Sequence, residues 1–362
     1  MKLKKTLCCL LASAIICVPL ASGCSNEKNN KESSQTSDTQ ASVNTQENSD
    51  KNSQKSAEEN SVSSQSKITP AMWKVEDQNG NFIYMFGTIH AADDDASIMP
   101  DYFEAAYNES RAIAVEADVS DIMNDATLTS SLMKYMMYSD GTKIQDHIST
   151  ETYNAVSKVL KDNFSMYVEN AYDYMTPIAW AYALESAVIE KVGLDIKKGI
   201  DTVTINRAKN DGKEVLEVES VESQAEMLGR LSENVSEIVL VPYSTQEGFD
   251  KQVDSLKKLY GDWKNGNEIL EEELDVSSLT DMDEKLKKEI EYYNDEMLGK
   301  RNPLMADKAE EYIKAGKKVL VMVGAAHFYG DNGLINLMQT RGYTVTRISP
   351  EITEQASLPA AA

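Results

Sequence analysis

The chain has 362 residues, with 59 acidic against 36 basic side chains and a formal charge of −23. So acidic a surface argues against nucleic-acid binding and against adhesion to anionic lipid through charge. It carries four cysteines. Three of these fall in a leader, so the folded part has neither a disulfide framework nor a thiolate metal site.

Residues 1–23 carry Lys2, Lys4 and Lys5, an apolar run from Leu7 to Leu20, and then small residues. This is the layout of a signal peptide, and the run is short for a membrane span. The ending Leu20-Ala21-Ser22-Gly23-Cys24 resembles a bacterial lipobox, with Ala where Leu is commoner three residues before the cysteine. The resemblance implies cleavage before Cys24 and lipidation there, giving an extracytoplasmic protein anchored to a bacterial membrane. A secreted protein with a free Cys24 is the alternative. Cys8, Cys9 and Cys17 lie in the leader, and a lipid on Cys24 accounts for the one that remains. Residues 24–66 are dominated by Ser, Asn, Gln, Glu, Lys and Thr and have no aromatic residue, Gly or Pro after the cysteine. Such a segment buries too little apolar surface to offset its ordering entropy, which predicts a disordered tether with an r.m.s. span of about 35 Å. A disordered tail is expected at 351–362, leaving 67–350 as one large domain.

The folded region opens with a strand at 72–75, an Asn79-Gly80 turn and a second strand, which together predict a hairpin. Asp93, Asp94 and Asp95 read as a solvated acidic run rather than a cation site, and Pro100 introduces a helix to about residue 110. A short strand at 112–115 (AIAV) ends at Glu116. From 121 to 192 Met, Tyr, Leu and Ala recur at three- and four-residue spacing, which predicts a large helical insertion. His147, within it, has no partner motif and reads as structural or exposed. Gly199-Ile200-Asp201 opens a helix to about 210, and residues 214–219 give a strand ending at Glu219. Helices are expected over 222–231, 248–259 and the highly charged 268–298. Another follows with Asn302 as cap, Pro303 at its first position and Gly316 at its end. A last helix at 333–340 and a strand at 343–348 complete the chain.

Two stretches echo each other: FIYMFGTIH at 82–90 and VLVMVGAAH at 319–327. Each is a β-favouring run ending in Gly-x-x-His, and together they use two of the three histidines. In open α/β sheets ligands bind beyond the carboxyl ends of the strands, where His90, Glu116, Glu219 and His327 would emerge. Two imidazoles with a carboxylate suffice for a catalytic divalent metal with open positions. A further carboxylate can take a proton from bound water, and an arginine can hold a developing oxyanion. Arg301, just ahead of a signposted helix, is expected to be that cation. With the unperturbed imidazole pKa of about 6.5, metal and activity are expected to fall below roughly pH 6. No Gly-rich phosphate loop, Gly-x-Ser-x-Gly elbow or HExxH helix is present.

Several of these pieces resemble the TraB/PrgY/GumN family, which includes the animal Tiki proteins. They are Gly87-Thr88-Ile89-His90, Glu116, Gly199-Ile200-Asp201, residues 218–224 (VESVESQ), Arg301-Asn302, residues 323–327 (VGAAH), Gly330 and Gly342-Tyr343. Val218 and Ser220 stand where Leu and Thr are common, and neither removes a candidate ligand. The resemblance covers about 70–348. It implies an α/β fold related to the erythromycin-esterase and ChaN-like group, with a mixed or mostly parallel sheet and flanking helices. It also implies a metal site of His90, His327 and Glu116, which leaves Glu219 and Arg301 as catalytic residues. Three functions follow as expectations: a tethered metal-dependent hydrolase acting on peptides, a non-catalytic peptide-sequestering lipoprotein, or a haem- or metal-carrying one.

Overall fold

The computed structural model describes residues 66–118, 120, 125–168, 170–270 and 284–349. The leader, Cys24, the tether up to residue 65 and the tail from residue 350 lie outside them.

Strands β1 (Met72–Glu76) and β2 (Phe82–Thr88) pair antiparallel as the expected hairpin. The Asp77 carboxylate accepts from the backbone N–H of Asn79 and Asn81 at 2.8 Å each. Gly80 turns the chain at φ 82°, a left-handed conformation that glycine adopts without steric cost. Helix α1 (Asp101–Glu109) then leads to β3 (Ala112–Val115). The helical insertion that follows contains α2 (Ala126–Met136), α3 (Thr150–Asn163), α4 (Pro177–Val192) and α5 (Ile200–Asn210). In α4 the Thr176 hydroxyl caps the start, Pro177 takes the first turn and Gly193 ends it at φ 88°.

After β4 (Glu214–Glu217) come α6 (Val221–Gly229), α7 (Glu233–Ile238), α8 (Gln246–Lys264) and α9 (Glu284–Asn294). A π-helical turn, Asp295–Gly299, runs into α10 (Arg301–Lys314). Strand β5 (Val319–Gly324), α11 (Leu334–Thr340) and β6 (Thr344–Ile348) close the fold.

The result is an α/β fold with a six-stranded sheet in the order β4-β3-β5-β2-β1-β6. Strands β4, β3, β5 and β2 are mutually parallel, and β1 opposes both of its neighbours, β2 and β6. The sheet is therefore mixed, as expected. Strand β5 slots between β2 and β3, and all its residues are buried. Its side chains divide by the period of two: Leu320 and Met322 join the larger core, Val319, Val321 and Val323 the smaller. The smaller core is completed by Met305, Ala306, Ala309 and Ile313 of α10 and Leu334 and Met338 of α11.

Two expectations need correction. Residues 268–270 are not helical; of the expected charged helix the described part is α9 with the turn after it, and 271–283 lie outside the described residues. Asn302 is not a cap: α10 starts at Arg301 after Lys300, which makes no side-chain cap bond, and Pro303 is its third residue. The π turn supplies the preceding helical backbone, so no cap is needed, and the Asn302 amide is used elsewhere. Gly316 does end the helix, at φ 63°.

Candidate active site

The four parallel neighbours deliver their exits to one edge of the sheet. In spatial order, β4, β3, β5 and β2 lead into Glu219, Glu116, His327 and His90. Parallel pairing continues past the β3 and β4 ends, with Val218 N–H on Val115 O at 2.8 Å and Glu219 N–H on Glu116 O at 2.9 Å. This registers the two carboxylates against each other.

His90 is held from behind by α5. The Ile200 N–H donates to Ile89 O at 2.9 Å, and a Cβ on Gly199 would lie 2.3 Å from the His90 carbonyl oxygen. Only glycine lets the helix start that close. Asp201 Oδ2 then meets His90 Nδ1 at 2.7 Å, leaving Nε2 buried without a partner. His327 repeats the pattern with a neutral partner. Its Nδ1 donates to Asn302 Oδ1 at 2.6 Å, while Asn302 Nδ2 donates to Asn332 O at 2.9 Å, and Nε2 again has no partner. The π turn before α10 is the kind of local irregularity found at functional sites, and Arg301 and Asn302 follow it directly.

Glu116 Oε1 accepts from Arg301 Nη2 and from Gln224 Nε2, the latter at 3.0 Å, while Oε2 takes the Gly324 N–H at 3.2 Å. Glu219 receives Arg301 Nε at 2.9 Å and Nη2 at 2.7 Å, and Gln224 Nε2 at 2.8 Å. Arg301 is 4 % exposed and lies between the two carboxylates.

The electrostatics divide the two imidazoles. Burial alone would depress His90, but Asp201, Glu116 and Glu185 raise it to about 9. Burial, the Arg301 guanidinium and His90 push His327 well below its ordinary value. Burial raises Glu116 above the usual carboxylate range against the pull of Arg301. Burial works the same way on Asp201, yet His90 brings it below that range.

Do these residues fit a divalent metal? Among the described residues, no three His, Cys, Asp or Glu side chains are gathered closely enough to hold an ion as they stand. The donor chemistry nevertheless fits. Two buried Nε2 atoms lack partners, and each ring is anchored through Nδ1, as metal-ligating histidines are. A Cβ on Gly324 would sit 3.7 Å from His90 Nε2, 3.6 Å from Glu116 Oε2 and 3.5 Å from His327 Cδ2, so the three side chains surround one spot. His327 Nε2 and Glu116 Oε2 are 3.9 Å apart. Two ligands on one tetrahedral zinc stand about 3.4 Å apart, so this pair would need only a modest contraction to share an ion.

The other singled-out residues lie elsewhere. Cys24 is outside the described residues. Asp93 caps a short 3-10 turn and bonds Tyr260, while Asp94 pairs with Lys198 and Asp95 with Lys67 and Lys264. His147 stacks on Tyr138 at 3.9 Å and bonds Thr142 and Glu233. Sequence reasoning missed Glu185, on α4, whose carboxyl burial pushes up to about 8. Its one signal was an acid in the apolar middle of a helix. Asp201 and Gln224 stood in recognised motifs without a role assigned, and Asn302 was read as a helix cap.

The chain is 23% identical over 334 residues to metalloprotease TIKI1 of Xenopus tropicalis, covering 78% of this chain and 62% of that protein. It is 24% identical over 319 residues to the metalloprotease TIKI homolog of Nematostella vectensis, with coverages of 74% and 65%. Against metalloprotease TIKI2 of X. tropicalis it is 23% identical over 350 residues, with coverages of 82% and 63%. It thus spans a little under two-thirds of the length of these relatives. No solved structure matches it significantly. The profile of the TraB/PrgY/gumN family matches residues 71–347, and the chain belongs to that family.

Proposed function

We propose that the protein is a metal-dependent hydrolase acting on peptides, tethered at a cell surface through lipid on Cys24. The observation that carries the catalytic part is the pair of buried imidazoles, each anchored at Nδ1 and unpartnered at Nε2, beside one carboxylate. The names of the metalloprotease relatives agree with it. His90, His327 and Glu116 would hold the ion, which when bound would polarise a carbonyl and acidify a water. The carboxylates that raise the proton affinity of His90 also favour a cation beside it.

The chain's own groups supply the rest. Glu219 is the more open of the two carboxylates, with a side chain 10% exposed against 1% for Glu116, and it takes the proton at the rim of the site. Arg301 bridges both carboxylates and would lend its fixed positive charge to a developing oxyanion. His327, kept neutral, does not compete as a donor.

Elemental analysis of the purified protein, together with cleavage of a peptide library with and without chelator, tests this. The expected result is about one divalent ion per chain and cleavage that chelator abolishes and metal restores. Binding of peptides with no cleavage in the metal-loaded protein would favour the sequestering alternative. The anchor is tested separately: Cys24→Ser should leave the precursor uncleaved by lipoprotein signal peptidase and unlabelled by a fatty-acid probe, and normal labelling would contradict it.

A further inference from the structure

Gln224 lies in the first turn of α6 and is 2% exposed. Its one amino group serves both carboxylates, reaching Glu116 Oε1 at 3.0 Å and Glu219 Oε2 at 2.8 Å. That fixes the amide, because the opposite orientation would set a carbonyl oxygen against two carboxylate oxygens. Gln224 Oε1 is consequently held as a buried acceptor with no donor.

Arg301 bridges the same pair, so two carboxylates share one guanidinium and one negative charge is left over. A second cation between them would cancel that charge, whereas a neutral amide adds hydrogen bonds and keeps it. On Glu116, both Arg301 and Gln224 bind Oε1. The other oxygen, Oε2, is therefore turned to the Gly324 N–H at 3.2 Å and lies 3.9 Å from His327 Nε2.

We propose that Gln224 is a positioning residue: it turns Glu116 Oε2 toward the two imidazoles and holds Glu219 against Arg301 without neutralising the site. Its effect on metal affinity rests on the metal-dependent reading above; the orientation of Glu116 does not.

Two substitutions in the full mature chain test it. Gln224→Met keeps length and removes the amide, while Gln224→Lys keeps a donor and cancels the charge. Thermal melts establish that each variant folds. In crystals of the metal-free proteins, Glu116 should leave the Gly324 N–H in the Met variant and stay on it in the Lys variant. A Met variant with Glu116 unmoved would overturn the proposal. Cobalt(II) titrations followed by visible absorption give the second readout. Both variants should bind about 10–100-fold more weakly than the parent, the Met variant with a shifted band. Parental affinity and band in the Met variant would overturn the positioning claim, and parental affinity in the Lys variant the charge claim. A parent protein that takes up no cobalt would instead contradict the metal reading, with the crystals still deciding the orientation of Glu116.

Discussion

His90 and His327 leave their strands through the same Gly-x-x-His exit, and the fold then treats them oppositely. Behind His90 stands a carboxylate, Asp201, and with Glu116 and Glu185 it raises the imidazole to about 9. Behind His327 stands a carboxamide, Asn302, and burial beside Arg301 drives that ring well below 6.5. The motif fixes where an imidazole emerges. Its charge is fixed by the residue on Nδ1 and by the nearest ions, which come from distant elements.

The contrast has opposite consequences for pH. A raised folded-state pKa binds protons the unfolded chain has lost, so the His90 contribution to stability is complete below about 6.5 and is lost as pH rises through about 9. His327 is depressed, so its contribution is present above about 6.5 and is lost as pH falls. Metal uptake at His90 must displace a proton, which moves the expected weakening of binding from near pH 6 up to the region below about 9.

The largest expected effect comes from removing the guanidinium that bridges the two carboxylates. Arg301→Ala leaves Glu116 and Glu219 buried without their cation and should cost about 3–5 kcal/mol in urea unfolding. Arg301→Lys keeps the charge but loses the fork, so stability should largely hold while turnover falls. An Ala variant as stable as the parent would mean the carboxylates are not held as described.

Exchanging the partners should come next. Asp201→Asn should lower the His90 pKa toward that of His327 and weaken metal binding by about 10–100-fold. Asn302→Asp should raise His327 in turn. Imidazole titrations by NMR on the metal-free variants read both shifts directly. Rings that keep their parental pKa values would detach charge from partner identity. In the parent protein, calorimetry at pH 7 in buffers of different ionisation enthalpy should record about one proton released per metal bound, and no release would contradict a protonated His90.

Glu185→Gln should be the mildest change. The raised Glu185 carboxyl stabilises fully below its unfolded pKa, near 4.5, and that contribution is lost as pH rises through about 8. The Gln variant should therefore melt higher than the parent near pH 8, by about 2–4 °C for each kcal/mol recovered, and show little gain near pH 4.5. A pH-independent difference would mean that burial does not raise the Glu185 carboxyl as described.

Much of this was legible in the sequence. Continuous apolar, β-favouring runs ending in Gly-x-x-His pointed to β2 and β5, and acids after short runs put Glu116 and Glu219 at the same sheet edge. Gly316 marked the end of α10. The wiring among the side chains was harder to read. Asn302 has the composition of a helix cap, and only the helical backbone of the preceding turn frees its amide for His327. Glu185 looked like one acid in a core helix, because its distance from His90 depends on how α4 packs. Gln224 shares a helix with exposed acids, and the motif it closes gives no sign that its amide reaches two carboxylates. Spacing along the chain reports the strand exits, whereas these partners are set by tertiary packing.

The measurement that bears most directly on the site is metal content per folded molecule in His90→Ala, His327→Ala and the control His147→Ala, with thermal melts run alongside. His147 is tied to Tyr138, Thr142 and Glu233 away from the site, so its variant should keep the parental metal content. Loss of either His90 or His327 should remove most of the metal from protein that still melts cooperatively. Full metal occupancy in both of those variants would contradict the account.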